Sequence, residues 1–473
     1  MSRARARLAL GGALLAWSLA CPARVPRPLA PEVLSLPPLG AGRPERVVLL
    51  SIEGLVPDAY RAGPDGSTAM PTLTALARAG VEAEVVEPAV PATVYPTHAT
   101  LVTGELPARH GIAADRLLDE RGVRSARYSH ATRLRAPTLW QRAHEARLSV
   151  ASLDWPSTEG AAIDLLLPDV EPSREGETWL GLVADGATPR LAERVRVLAA
   201  GDASPGAASR DDILTTLACE LVRDPAPPAL LLLRFVATGE ALERSGPGSP
   251  EALAAFAQAD AGLRRLLGCL DAAAALATSA VAVAGDRGLL AVHTEIHPNV
   301  VLARRQLLHA ARSLGRWGAI VRPNGGSAFV YAVDEDRAVE ARRALEDAAA
   351  ETKAFRVVSA EELFELGADP ETWFGLEATP GWVFGAKASG ALLEPAGRRG
   401  ASGYLPGRRE MQPAFVLWGR GVRSGVRIPW MRQSDVAPTL ARLLGAELDA
   451  ADGRPVVGAL EVTASAPRTA GTR

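Results

Sequence analysis

Histidine is scarce in this chain, with seven among 473 residues. That leaves few imidazoles from which to build a metal centre, although scarcity alone excludes none. Excess basic charge is also missing. The formal net charge is -2, so there is no cationic field to draw in nucleic acid and no strongly acidic surface. No G-x-S-x-G and no Walker pattern occurs, which removes the usual nucleophile elbow and phosphate loop. The apolar run at the N-terminus is too short for a comfortable membrane span, and no other reaches roughly 18 residues without charge, so no membrane-spanning helix is expected.

What remains is an ordinary globular composition, 48% apolar and 22% charged, in a chain long enough for one large core or two modest ones. Arg3, Arg5 and Arg7 precede an apolar run from Leu8 to Leu19 and small residues around Cys21. This is a signal-peptide pattern over 1–21. Ser18-Leu19-Ala20-Cys21 resembles a lipoprotein signal with Cys21 as the lipidated residue, and ordinary cleavage nearby is the alternative. The expectation is an exported protein, periplasmic or lipid-anchored at the envelope, touching membrane only through Cys21. Of the three cysteines, Cys219 and Cys269 then remain as a pair in helical stretches, either bridged or as two buried thiols.

Residues 22–45 hold seven prolines and read as a linker. Arg46 to Ile52, Pro228 to Phe235 and Ser279 to Ala284 are short apolar runs of buried-strand type, alternating with helical patterns such as Pro71 to Gly80, Arg210 to Val222 and the periodic Leu253, Phe256, Leu263, Leu266, Leu267 and Leu270. This alternation predicts an α/β fold, a mostly parallel sheet with helices on both faces, over 46–463. Within it, about 317–380 reads as a small inserted α+β subdomain, strand then helix then strand, with a turn at Asn324-Gly325-Gly326. The tail from Ala464, 464–473, is small and polar.

The stretch Val90 to Ile112 (VPATVYPTHATLVTGELPARHGI) reads as a proline-bracketed turn feeding a short helix near Thr97. A helix start exposes free N–H groups and suits a phosphate or a nucleophile. Together with LLSIEGLVPDAY, PTLTALARAGV, AGDRGLLAVHTEIHPNVVL, ASGYLPGRREMQPAFVLWGRGV and SDVAPTLARLLG, it resembles the type I phosphodiesterase/nucleotide pyrophosphatase branch of the alkaline phosphatase superfamily. The resemblance implies an alkaline-phosphatase-like fold, two zinc ions and a threonine nucleophile that attacks phosphodiesters.

Position by position, the resemblance implies a changed site. The nucleophile position falls on Val94, which has no oxygen, and the neighbouring asparagine position falls on Thr97. The first-strand aspartate is Glu53. The ligand positions of one zinc fall on Gly239, Glu243 and Ser402; those of the other keep Asp286, with Arg287 in place of histidine. Arginine is a permanent cation and cannot bind zinc. Three readings follow. One is a pseudoenzyme without cofactor in which Arg287 pairs with Glu53 and Asp286. Another is a hydrolase using Thr93 or Thr97, with Mg²⁺ or Ca²⁺ held by Glu53 and Asp286. The last is a scaffold that binds a small anion, phosphate or nucleotide-like, through Arg287 and the helix start. His293 and His297 stand four apart, but Pro298 argues against a helix there and favours a structural role.

Overall fold

The computed structural model of the protein describes residues 36–63, 66–172, 177–201, 210–308 and 317–461. The signal segment with Cys21, most of the linker, His309 and the tail from Ala464 lie outside the described residues.

Eight strands form the central sheet, in the order Val426–Ile428, Val81–Ala83, Phe415–Gly419, Ser279–Gly285, Arg46–Ile52, Leu230–Phe235, Val150–Trp155 and Leu165–Pro168. All run parallel except Phe415–Gly419, which is antiparallel to both neighbours. Every residue of the three central strands is buried. Helices cover both faces, which is why these strands read as unbroken apolar runs instead of alternating ones. The fold is therefore the expected α/β arrangement.

Register decides where the chemistry sits. Ile52 pairs with Phe235 on one side and Gly285 on the other, so the three central strands end level. Glu53, Val236 and Asp286 consequently leave the sheet side by side, at the carboxyl edge where open α/β sheets hold their ligands. One strand further out, Leu153 pairs with Leu233, which sets Asp154 beside Arg234.

The helix after the proline-bracketed turn spans Val94–Thr103, three residues earlier than the sequence reading placed it, and is buried throughout. Thr93 is therefore its N-cap and Val94 its first residue. In the long helix Pro250–Ala272, Phe256, Leu263, Leu266, Leu267 and Leu270 are buried as expected, but Leu253 is 50% exposed and leaves the stripe. After Val81–Ala83 the chain forms a separate short strand, Val86–Glu87, which pairs with Met431–Arg432 instead of the main sheet. Cys219 and Cys269 form a disulfide, which settles the choice the sequence left open.

The subdomain is a four-stranded antiparallel sheet, Ala319–Asn324, Ser327–Ala332, Phe374–Ala378 and Phe355–Val358, with the helix Glu335–Thr352 against it. What reads as one strand before the helix is a hairpin, because Gly325 at φ +82° turns the chain. Its core also takes in Ile296, Leu302, Phe384, Tyr404 and Met411, so it is fused to segments on either side. Among the described residues no helix is long and apolar enough to cross a membrane.

Candidate functional site

Glu53, Asp286 and Arg287 meet at the carboxyl edge of the sheet, with 4%, 0% and 1% of their surface exposed. Glu53 Oε1 accepts hydrogen bonds from Arg234 Nε at 2.8 Å, and Arg234 Nη2 lies 2.6 Å away. Its other oxygen, Oε2, accepts from Arg287 Nη2 at 3.0 Å. Asp286 Oδ1 takes the Gly54 N–H at 2.8 Å, while Oδ2 takes Arg287 Nη1. Arg287 also reaches Glu243 Oε1 at 3.4 Å. Both carboxylates are thus held by guanidinium groups in bonds of the strong, charge-assisted kind.

The sequence reading missed the second half of this arrangement. Arg234 continues to Asp169 Oδ1 at 2.8 Å and to the Asp154 carbonyl at 3.3 Å. Arg210 bridges Asp154 and Asp169, the latter at 3.2 Å, and Tyr95 donates its hydroxyl to Asp169 Oδ2 at 2.6 Å. Three arginines are therefore interleaved with four buried carboxylates. A signal was present: Arg234 is a charge at the penultimate position of an otherwise apolar strand, and Asp154 likewise ends a buried strand. A charge so placed needs a partner in the fold.

Burial would raise the Glu53 carboxyl, but Arg234 and Arg287 outweigh it and hold it down at about 2. Asp169 is likewise held at about 2, burial being overcome by Arg234 and Arg210. For Asp286 burial wins against Arg287 and the value rises to about 6. Asp154 is pushed by burial up to about 7 despite Arg210 and Arg234, and its Oδ2 has no hydrogen-bond partner. The sign of each shift sets its effect. A lowered carboxylate stabilises the fold above its unfolded value, whereas a raised one penalises the fold once ionised. At pH 8, Asp169→Asn should cost about 2–3 kcal/mol in urea denaturation. Asp154→Asn should be neutral or stabilising, helped by the tolerance of asparagine for the positive φ of 65° there. The reverse order of the two variants would refute this assignment.

Val94 lines an inner cleft of about 280 Å³ with Glu53, Gly239, Glu243 and Arg287. Gly239 is required by its neighbours. A Cβ there would lie 2.3 Å from Glu53 Oε2 and 3.3 Å from Arg287 Nη2, so an aspartate at this position would displace the pair. Thr97 donates its hydroxyl to the Thr93 carbonyl at 2.7 Å, is fully buried and lines neither this cleft nor the adjoining one. The Thr93 hydroxyl has no partner and lines an adjoining outer cleft of about 330 Å³ with Asn324 and Ser402. The two clefts share Asp115, Arg116, Glu243 and Arg398.

Ser51, His98 and Asp286 imitate a catalytic triad without the access it needs. Ser51 Oγ lies 2.8 Å from His98 Nε2, and Asp286 Oδ2 lies 3.9 Å from Nδ1. All three are fully buried, and burial lowers the imidazole to about 3, so it stays neutral. His98 Nδ1 instead bonds the Val94 carbonyl at 2.7 Å, which ties the helix start to the sheet. His293 and His297 flank the three-residue strand Thr294–Ile296, not a helix. Among the described residues no group of three or more His, Cys, Asp or Glu is arranged to hold a metal ion.

Comparison with known proteins agrees with this architecture. The human ectonucleotide pyrophosphatase/phosphodiesterase 5 structure superposes with a TM-score of 0.62 at 19% identity, covering 88% of this chain and 98% of that one. The murine counterpart, solved as an inactive variant in complex with AMP, gives 0.61 at 19% identity over 85% and 96% of the two chains. In sequence, ectonucleotide pyrophosphatase/phosphodiesterase family member 3 of Bos taurus is 27% identical over 149 residues, 30% of this chain and 16% of that protein's length. Residues 47–404 match the family description as a continuous stretch; the chain belongs to the type I phosphodiesterase/nucleotide pyrophosphatase family.

Proposed function

We propose that this chain is a hydrolytically silent, zinc-free member of its family, exported to the cell envelope, whose cleft is kept to hold a small anionic, phosphate-bearing ligand. The observation that carries the reading is the saturation of Glu53 and Asp286 by Arg234 and Arg287. A zinc ion needs several deprotonated donors in tetrahedral array. Here the carboxylate oxygens already accept guanidinium or amide hydrogens, and Gly239 and Ser402 offer no carboxylate or imidazole. The donors do not fit zinc. Mg²⁺ or Ca²⁺ at Glu53 and Asp286 would sit against the fixed charge of Arg287 and is disfavoured in the same way.

Loss of turnover follows from Val94, which has no oxygen to attack phosphorus. Thr93 keeps a free hydroxyl, but nothing within hydrogen-bond reach accepts its proton, so it lacks the base that activates such a nucleophile. The AMP complex of the murine relative supports a nucleotide-like ligand, and the N-terminal signal pattern supports export.

Metal analysis and turnover test the reading together. The purified protein is expected to carry no stoichiometric zinc and to leave a bis-nitrophenyl phosphodiester intact at neutral pH. Two zinc equivalents per chain, or turnover abolished by chelator and by Thr93→Ala, would overturn it.

A further inference from the structure

We propose that the anion is a phosphoryl group held in the outer cleft by Arg322, Asn324 and Thr93. This rests on the ligand-binding reading above and places the ligand within it. The inner layer is an unsuitable host, because Arg234 and Arg287 are almost wholly buried and already bonded to carboxylates. A cation whose charge is met in this way has little left to offer a ligand.

The outer cleft is built differently. Arg322 is 2% exposed, yet among the described residues its guanidinium meets only neutral acceptors: the Arg116 carbonyl and the hydroxyls of Tyr128 and Tyr331, at 3.4 and 3.5 Å. Its Nε has no partner. A charge buried without a counter-ion is costly, and an anionic ligand would supply one. Beside it Asn324 Nδ2 and Thr93 Oγ1, on residues 4% and 6% exposed, are likewise without partners. All three residues line one cleft, the arginine and asparagine from the subdomain hairpin and the threonine from the N-cap of the Val94–Thr103 helix. That threonine does not cap its own helix with its side chain, so its hydroxyl remains available.

Arg116 and Arg398 complete the lining, and neither forms an ion pair among the described residues. Of the acids in the same cleft, Asp115 holds the Tyr95 N–H at 2.9 Å and Glu243 faces Arg287. Asp115, whose partner is a neutral amide, and Glu295 remain as the carboxylates opposing an anion. The cationic and donor groups outnumber them, and a tetrahedral phosphoryl group offers acceptors for a hydroxyl, an amide and guanidinium hydrogens at once.

Titration calorimetry of the full exported chain with inorganic phosphate, AMP and adenosine tests the assignment, using Thr93→Val, Arg398→Gln and Arg127→Gln besides the wild type. Thr93→Val keeps the shape, and Arg398 is partly exposed, so both variants should fold even where Arg322→Gln does not. Phosphate and AMP are expected to bind and adenosine not to. Thr93→Val and Arg398→Gln should each weaken phosphate about tenfold, and Arg127→Gln should not, because Arg127 lines the inner cleft and not the outer one. Phosphate binding lost in Arg127→Gln but unchanged in Thr93→Val would overturn the placement while leaving a bound anion in the molecule. Adenosine binding as tightly as AMP, or no binding of any probe, would overturn the inference outright, and the zinc and turnover assays would still judge the silent, metal-free reading separately.

Discussion

Replacing Arg287 with alanine is expected to lower the stability of the fold by about 3–5 kcal/mol, the usual cost of removing one partner from a buried ion pair. The Arg287 side chain is 2% exposed and satisfies Glu53 Oε2 and Asp286 Oδ2 together. Without it both oxygens are stranded at the end of fully buried strands. The deficit should depend on pH in a definite direction. Asp286 has its value raised to about 6 by burial, so its ionised form penalises the fold, and that penalty grows as pH rises from the unfolded carboxylate value through 6. Arg287 already holds this penalty down in the wild type, and without it the penalty is larger. The variant should therefore lose more at pH 8 than at pH 5, where Asp286 can take up a proton.

A double-mutant cycle separates charge from packing. If the loss comes from stranded carboxylate, Arg287→Ala combined with Glu53→Gln should be less destabilised than the sum of the two single variants by more than about 1 kcal/mol. Additive losses would mean that Arg287 merely fills space. An unchanged denaturation midpoint for Arg287→Ala would sink the account altogether.

Strand positions were the most legible part of the sequence, because a parallel sheet covered on both faces demands continuous apolar runs such as VVLLSI and LLLLRF. The frame of the site was legible for a related reason: Glu53 and Asp286 follow directly on those runs, and register brings their ends level. What was not legible is whatever depends on pairs far apart in sequence. Arg234 lies 181 residues from Glu53, and no local pattern announces that its guanidinium takes the other oxygen of that carboxylate. Asp154 lies on one strand and Asp169 directly follows its parallel neighbour, so their shared arginines appear only once the sheet is assembled. The subdomain hairpin shows the same limit at shorter range. Asn324-Gly325-Gly326 marks a turn, but the strand that enters beside it, Phe374–Ala378, comes from beyond an 18-residue helix. The helix begins at Val94, ahead of Pro96, because proline is well tolerated in a first turn, where its missing N–H has no partner to lose.

Removing the disulfide with Cys219→Ala and Cys269→Ala together is expected to cost about 4 kcal/mol, from the loop entropy that a crosslink spanning 50 residues withholds from the unfolded chain. Alanine is the suitable replacement, since both cysteines are nearly buried, at 3% and 4% exposure, and serine would add an unpaired hydroxyl. The consequence should reach the site. The bridge ties the helix Arg210–Val222 to the helix Pro250–Ala272, and the first of these begins with two residues that hold the carboxyl edge together. Arg210 closes Asp154 and Asp169. Asp211 accepts the N–H groups of Val236 and Ala237 at 2.9 and 3.2 Å, fixing the start of the helix that carries Gly239 and Glu243. Releasing the far end of that helix should therefore weaken the arginine–carboxylate layer as well as the global fold. Wild-type protein unfolded and refolded under strong reductant should match the double variant in denaturation midpoint. Amide exchange should rise around Val236 and Ala237 in both, ahead of the central strands. Equal stability with and without the bridge would show that the two helices are held by packing alone.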